Sequence, residues 1–480
     1  MTTTHLSGES GAIMLCTEGA AHAEAGDHAG AVARYRQAVA LAPGVLPLHL
    51  ILANAQVLAG DVMEARVTLR RALRVAERPD VASEFSLGKA LVDAGAGADA
   101  VPCFRRARIE FPRDAAAAAA LASALREAQR PEEAWAEISH ALKLAPLDPV
   151  ALLTAAQIRH DLSDYAGALA WLDRSIALRT DAPGARVSRG YVRHLLGDAE
   201  GGWRDFEARA LPQPGTDARP WQGEALTGRS IVILGEQGVG DQFQFLRFVR
   251  HPALAAASRV VVTCQAEAVS LLRAAGYDAI ARGEPVQTDY FVPMLSLPLR
   301  LGVPADWRAR DGEDTYVQLP DTPVQIAPVP RRVGVVWAGN PAHRNDAARS
   351  IPASQFHGLV HRHPGVRFVC MQHEMTGSMP IGQWETNPQG SWLETARQLC
   401  TLDLLISVDT GIAHLAGALG IPAWILVSHV PDWRWGPSGS ATGWYPRARL
   451  FRQPARGDWS RVITNVSAAL GCATIADDAA

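Results

Sequence analysis

The sequence predicts an α-helical repeat array followed by a doubly wound α/β region, and three observations carry that expectation. Pairs of a small and a large apolar residue recur at even spacing through the N-terminal part of the chain. A Pro- and Gly-rich stretch at 211–229 (LPQPGTDARPWQGEALTGR) ends the periodicity. Beyond it, strand-length apolar runs alternate with short helical patterns, most plainly over 404–427, LLISVDTGIAHLAGALGIPAWILV.

A chain of 480 residues accommodates two or three domains, and its 48% hydrophobic content suffices for well-filled cores. The apolar stretches are Ala-rich or of strand length, so no transmembrane helix is expected. The start, MTTTHLSGESGAIML, has no basic segment leading into an apolar block, so no secretory signal is expected. The six cysteines, at 16, 103, 264, 370, 400 and 472, show no CxxC spacing, which argues for free thiols and against structural zinc. A net charge of −3 gives no electrostatic reason to expect nucleic acid. The expectation is a cytoplasmic globular protein.

In the array, residues 12–210, small residues fall at Ala31, Ala65, Ala100, Ala134, Ala168 and Gly202. Large ones follow at Tyr35, Leu69, Phe104, Ile138, Leu172 and Phe206, and turn residues precede at Gly26, Gly60, Gly95, Gln129, Ser163 and Gly197. The spacing is roughly the 34 residues of a tetratricopeptide unit, so the segment resembles about six such repeats. Stacked helix pairs form a concave surface that holds an extended peptide or a partner; the alternative is a spacer or dimerisation element. Arg66, Arg70, Arg71 and Arg74 lie along one helix among acids and read as a solvated face.

After the linker, 230–234 reads as a strand and GEQGVGDQFQFLRF as a glycine-punctuated turn opening a helix. The turn, with Gly238 and Gly240, is neither a dinucleotide fingerprint nor a Walker loop. Asp241 stands at the mouth of this strand, with an N-cap role as the alternative. Strands follow at 259–264 and 290–293, with a helical segment at 266–275. A Pro-rich stretch at 320–330 separates a second half. There, 333–337 is a strand, Gly339–Pro341 a turn, and 343–349 a polar loop whose Arg344 and Arg349 suit phosphate. Another strand covers 366–371, a loop 375–391, and a helix 392–400. Then come the strand 404–408, a break at Asp409, Thr410 and Gly411, a short helix stopped by Gly420, and the strand 423–427. Ligands of such sheets sit beyond the strands' carboxyl ends, where a capped helix N-terminus suits phosphate. The following loop carries Trp433, Trp435 and Trp444, placed either to stack on a sugar or base or to plug the gap between the halves. Asp458 caps a last helix with Trp459, Val462, Ile463, Val466 and Leu470 on its apolar side.

Three blocks, GEQGVGD, VGVVWAGNPAHRNDAARSIP and ISVDTGIAHLAGALGIPAWILVSHVPDWRW, together resemble bacterial tetratricopeptide-repeat glycosyltransferases of the heptosyltransferase type (glycosyltransferase family nine). The resemblance covers about 229–470. It implies a GT-B fold: residues 229–325 as the acceptor-side domain, 330–470 as the donor-binding domain, and a last helix crossing back to the first half. By resemblance Asp241 is the base that deprotonates the acceptor. Arg349 falls near a family Lys that contacts donor phosphate, and Asp409, Thr410, Gly411 and His414 match the donor motif. No Asp-x-Asp pair occurs, so an inverting reaction without metal or other cofactor is expected, with helix N-terminus and arginines stabilising the departing diphosphate. The expected partners are a nucleotide-sugar donor and a protein or glycan acceptor recruited by the repeats, and a peripheral place at the inner membrane fits a glycan acceptor. Two alternatives stay open: a lipopolysaccharide-type transferase whose repeats only dock it, and a catalytically weak nucleotide-sugar-binding scaffold.

Overall fold

The structure, a computed structural model, describes residues 8–75, 80–179, 181–304, 309, 315–322, 324, 326–327, 331–341, 343, 345–372, 384–386 and 390–475. The chain divides into two compact units, Met1–Ala185 and Arg186–Ala480.

The described residues of the first unit form the helices Gly8–Glu24, His28–Leu41, Leu46–Leu58, Val62–Val75, Val81–Asp93, Gly97–Glu110, Ala115–Glu127, Pro131–Leu144, Pro149–Asp161 and Tyr165–Leu178. The recurrence read from the sequence is their packing code. Ala31, Ala65, Ala100, Ala134 and Ala168 have no exposed surface, and Tyr35, Leu69, Phe104, Ile138 and Leu172 are buried behind them. The turns between paired helices need a left-handed residue: Gly26, Gly60 and Gly95 supply φ of +75°, +88° and +70°, while Gln129 and Ser163 adopt +59° without being glycine. Asp27, Asp80, Asp114, Asp148 and Asp164 cap the helices that follow them by accepting backbone N–H bonds, each worth about 1 kcal/mol.

The second unit takes in most of the helix Pro183–Leu195, then Ala199–Phe206. The two are clamped by a bidentate pair, Arg189 to Asp205 at 2.6 and 2.7 Å. A sheet follows, made of β1 (Arg219–Pro220), β2 (Ser230–Leu234), β3 (Arg259–Cys264), β4 (Asp278–Ala281) and β5 (Tyr290–Pro293), in the order β1-β5-β2-β3-β4 and parallel throughout. The second sheet contains β6 (Arg332–Val336), β7 (Arg367–Cys370), β8 (Trp384–Thr386), β9 (Leu404–Val408), β10 (Ala423–Val427) and β11 (Ala448–Arg452). Its order is β11-β10-β9-β6-β7-β8, again all parallel. Counted from β6, that is the 3-2-1-4-5-6 arrangement of a doubly wound dinucleotide-type sheet, whose crevice opens where the order reverses, between β6 and β9. The central strand LLISV is buried along its whole length, as a parallel strand covered on both faces requires.

Several elements differ from the sequence reading. β1, β4, β8 and β11 were not expected. They are two to five residues long, and β4 and β11 are only partly buried, so none gives a long apolar run. Within the expected polar loop, Asp346–Arg349 is a turn of helix. The last helix, Trp459–Ile475, does not follow the crossing implied by the resemblance. Trp459, Val462, Ile463, Val466 and Leu470 join Val333, Phe356, Phe368 and Leu404 in the core of their own sheet, because their shared face matches the apolar flank beside β6 and β7. No described helix is long and apolar enough to cross a membrane.

Candidate functional site

At the end of β9 the chain turns through Asp409 and Thr410 into the helix Gly411–Ala418. Thr410 is the N-cap: its hydroxyl accepts from Ala413 N at 3.4 Å and lies 3.1 Å from the Ser407 hydroxyl. Gly420, at φ +73°, follows the C-cap of this helix and ends it as expected. Arg349 reaches into the β6/β9 crevice. Its Nη1 donates to the Asp409 carbonyl at 3.1 Å and its Nε to Asp346 Oδ1 at 3.4 Å. The guanidinium lies flat against Gly339, where a Cβ would come within 2.5 Å of Nη2. Arg344 lies outside the described residues.

His414, buried one turn into the helix, faces the Asp409 carboxylate with Nε2 at 3.6 Å and the Tyr445 hydroxyl with Nδ1 at 2.8 Å. Trp435 stacks on its ring at 5.3 Å. Burial alone would raise the Asp409 pKa, but His414 and Arg349 outweigh it and hold the carboxyl below its usual range. Burial pushes the Tyr445 phenol well above its ordinary value. Burial, reinforced by Arg349, lowers the pKa of His343 nearby.

The first sheet presents the matching end. After β2, Gly235 packs on the Thr263 carbonyl so closely that a side chain there would overlap it. Gly238 is the N-cap of the helix Val239–Phe245, and Asp241 Oδ2 accepts the Gly238 N–H at 2.9 Å. Asp241 is therefore not the N-cap offered as its alternative role; it stands at the third helical position, from which one oxygen reaches back to the N-cap's own N–H. Gly240 is small because the other sheet's helix meets it: a Cβ there would lie 2.9 Å from His414 Cδ2 and 3.1 Å from Gly411 Cα. The two helix N-termini, each at the carboxyl edge of its sheet, thus touch.

Asp241 Oδ1 pairs with Arg434, which comes from the second half. Arg434 also donates to Asp432 Oδ1 at 2.9 Å and to Gln244 Oε1 at 2.6 Å. Its burial would weaken its hold on the proton, but Asp432 and Asp241 overcome this and raise its pKa further. The sequence reading missed Arg434, Gln244 and Tyr445. The available signal was Gln242 and Gln244 inside an otherwise apolar run, since both are buried.

Trp433 and Trp435 do not offer the free stacking faces that one alternative assigned to them. Trp433 is stacked on His194 at 4.6 Å and carries Arg434 over its ring at 4.5 Å. Trp435 is 1% exposed against His414. They plug the junction of the two sheets because their loop folds back between them. Beside this plug opens a cavity of about 620 Å³ whose walls include His194, Trp203, Phe248, Trp433, Arg434 and Trp444. Burial lowers the His194 pKa to about 3, with Arg434 adding to the effect, so its imidazole is neutral. At the β2/β5 crevice, Glu236 accepts from Leu295 N at 2.9 Å and is bridged by Arg209 at 2.7 and 2.8 Å.

Comparison with known proteins identifies tetratricopeptide repeats at 22–83 and 85–149. Protein FlbA of Caulobacter vibrioides is 24% identical over 534 aligned positions, spanning 94% of this chain and 82% of that protein. Among solved structures, YrrB, described as a tetratricopeptide-repeat protein with an unusual peptide-binding site, is 21% identical and covers 36% of this chain and 89% of its own, with a TM-score of 0.29. A tetratricopeptide-repeat protein of Parabacteroides merdae is 15% identical over 43% of this chain and 82% of its own, with a TM-score of 0.35.

Proposed function

We propose that the chain is a glycosyltransferase of GT-B type that moves a sugar from a nucleotide-sugar donor to a hydroxyl of a polypeptide recruited by its repeats. The observation that carries this reading is the meeting of the two sheets' carboxyl edges at Gly240 and Gly411, with Asp241 on one side and the Thr410-capped helix and Arg349 on the other. Asp241 takes the proton of the acceptor hydroxyl. The acceptor oxygen then forms its bond to the anomeric carbon while the bond from that carbon to the diphosphate oxygen breaks, its electron pair leaving with the nucleoside diphosphate. The backbone N–H groups at Gly411 and the Arg349 guanidinium neutralise the departing charge, and inversion follows from a single displacement without metal. The aromatic cavity beside Arg434 is the place for an uncharged acceptor segment.

A second reading has its own support: both carboxylate oxygens of Asp241 are engaged, as in an α/β module that serves only as a scaffold. A thermal-shift panel of UDP, GDP, ADP, CMP and their sugars separates the two, with Thr410→Trp as the blocked control. A ligand at 100 times its dissociation constant adds about 2.7 kcal/mol. One nucleotide stabilising the native chain but not the control, with Asp241→Ala binding it and failing to turn it over, supports the transferase. No stabilisation by any member supports the scaffold.

A further inference from the structure

Arg434 belongs to the loop after β10, yet two of its three nitrogen contacts lie on the first sheet's helix. Nη2 meets Asp241 Oδ1 and Nε meets Gln244 Oε1 at 2.6 Å, while Nη1 stays with Asp432 of its own loop at 2.9 Å. The side chain is 8% exposed, so these bonds are made away from bulk water, where their electrostatic weight is greatest. Its fork points in three fixed directions, a geometry that a lysine cannot reproduce. With Oδ2 tied to the Gly238 N–H, Oδ1 is the oxygen whose direction Arg434 sets.

We infer that Arg434 is a positioning residue for the proposed base: it reaches across from the second sheet and holds the Asp241 carboxylate aimed, so that the base is assembled only when the sheets are closed on each other. The inference rests on the transferase reading. Its physical core is charge balance. Remove the guanidinium and Asp241 and Asp432 lose the cation they share, which disfavours the charged form of both. Of the other titratable groups, the His343 imidazole interacts with Asp432 and burial lowers its pKa; the groups that follow do not change charge between about pH 5 and 9. Tyr191 and His194, from Pro183–Leu195, stay neutral, the phenol pushed up to about 12 and the imidazole down to about 3 by burial. Tyr445 is likewise neutral, and the guanidinium groups of Arg209, whose hold on its proton Glu236 and Glu207 strengthen against burial, and Arg282, whose hold burial weakens, stay charged.

The test uses the full chain and follows nucleotide release from UDP-glucose, GDP-mannose, ADP-glucose and CMP-sialic acid against pH. Nucleotide binding is followed in parallel by thermal shift. Arg434→Gln should still bind the nucleotide, lose at least tenfold in kcat at pH 7, and move the acidic limb of the kcat profile up by a unit or more. Adding Asp432→Asn should restore part of the lost turnover and return the limb toward its original place, which a merely structural role would not do. If Arg434→Gln does not fold, Arg434→Lys carries the same test, with a smaller displacement of the limb. Wild-type kcat and pH limb in the Arg434 variants, beside an inactive Asp241→Asn, would overturn the inference and leave the transferase standing. Full turnover by Asp241→Asn, or no release by the wild type from any donor, would overturn both.

Discussion

Gly240→Ala tests the meeting of the two sheets directly. The added Cβ would lie 2.9 Å from His414 Cδ2 and 3.1 Å from Gly411 Cα. Neither neighbour yields easily: one is backbone, and the other ring is fixed by Tyr445, Trp435 and Asp409. Overpacking of this kind costs about 1–3 kcal/mol, while an Ala in a helix returns up to about 1 kcal/mol over Gly. The net loss is therefore about 0–3 kcal/mol, centred on about 1.5 kcal/mol, which is a fall in Tm of about 3–6 °C for a unit of this size. Gly411→Ala is the matched control. Its nearest contacts are side chains, Val239 Cγ1 at 3.1 Å and Trp392 at 3.3 Å, so its loss should be smaller. Calorimetry gives the melting temperatures, and small-angle scattering shows whether strain is relieved by parting the sheets. A Gly240→Ala protein that melts no lower than wild type, with an unchanged radius of gyration, would refute the contact.

Three further outcomes follow from the same geometry. Ser163→Gly, at φ +59°, should raise the urea midpoint by the equivalent of about 0.5–1 kcal/mol, since glycine adopts this conformation without a Cβ penalty; a lower midpoint contradicts the assigned turn. Arg209→Ala strands Glu236 in the β2/β5 crevice and should destabilise the protein by about 3–5 kcal/mol in chemical denaturation, with a loss under 1 kcal/mol counting against the buried pair. The folded pKa of His194, about 3, lies below the unfolded value of roughly 6.5, so the unfolded chain takes up a proton that the native one refuses. Its contribution is complete above about pH 6.5 and falls toward pH 3, by up to about 1.4 kcal/mol per pH unit. His194→Gln should flatten the pH dependence of Tm by that amount, and an unchanged slope would show that the imidazole titrates normally.

What the residues disclosed in advance was set by how local its cause is. The repeat positions were legible because each Ala and its larger neighbour meet the same environment in every helix pair. β2, β3, β5, β9 and β10 were legible because buried parallel strands are continuous apolar runs. Edge strands such as β8, at three residues, leave no such trace. Of the candidate site, a cap at Asp409 or Thr410 with a helix just beyond it could be read from one stretch, since a cap is made by its own neighbours; the structure gives the cap to Thr410. The company of Asp241 could not. Gln244 is close by in sequence, but Arg434 lies 193 residues away, and only the packing of two sheets joins them. The tryptophans beside Arg434 drew attention to their loop for their size, whereas the charge between them holds the contact.

The division of the chain inside the helix Pro183–Leu195 has a consequence for how such a protein can change over generations. That helix and Ala199–Phe206 continue the repeat register, yet Tyr191, His194 and Trp203 are fixtures of the second unit's own interior. A crossover at 210 would tear out part of that interior. A crossover a whole repeat upstream exchanges one self-similar module for another and leaves these residues untouched. Repeats can then be gained, lost or traded at the front of the array while the neighbourhood of Asp241 is inherited intact.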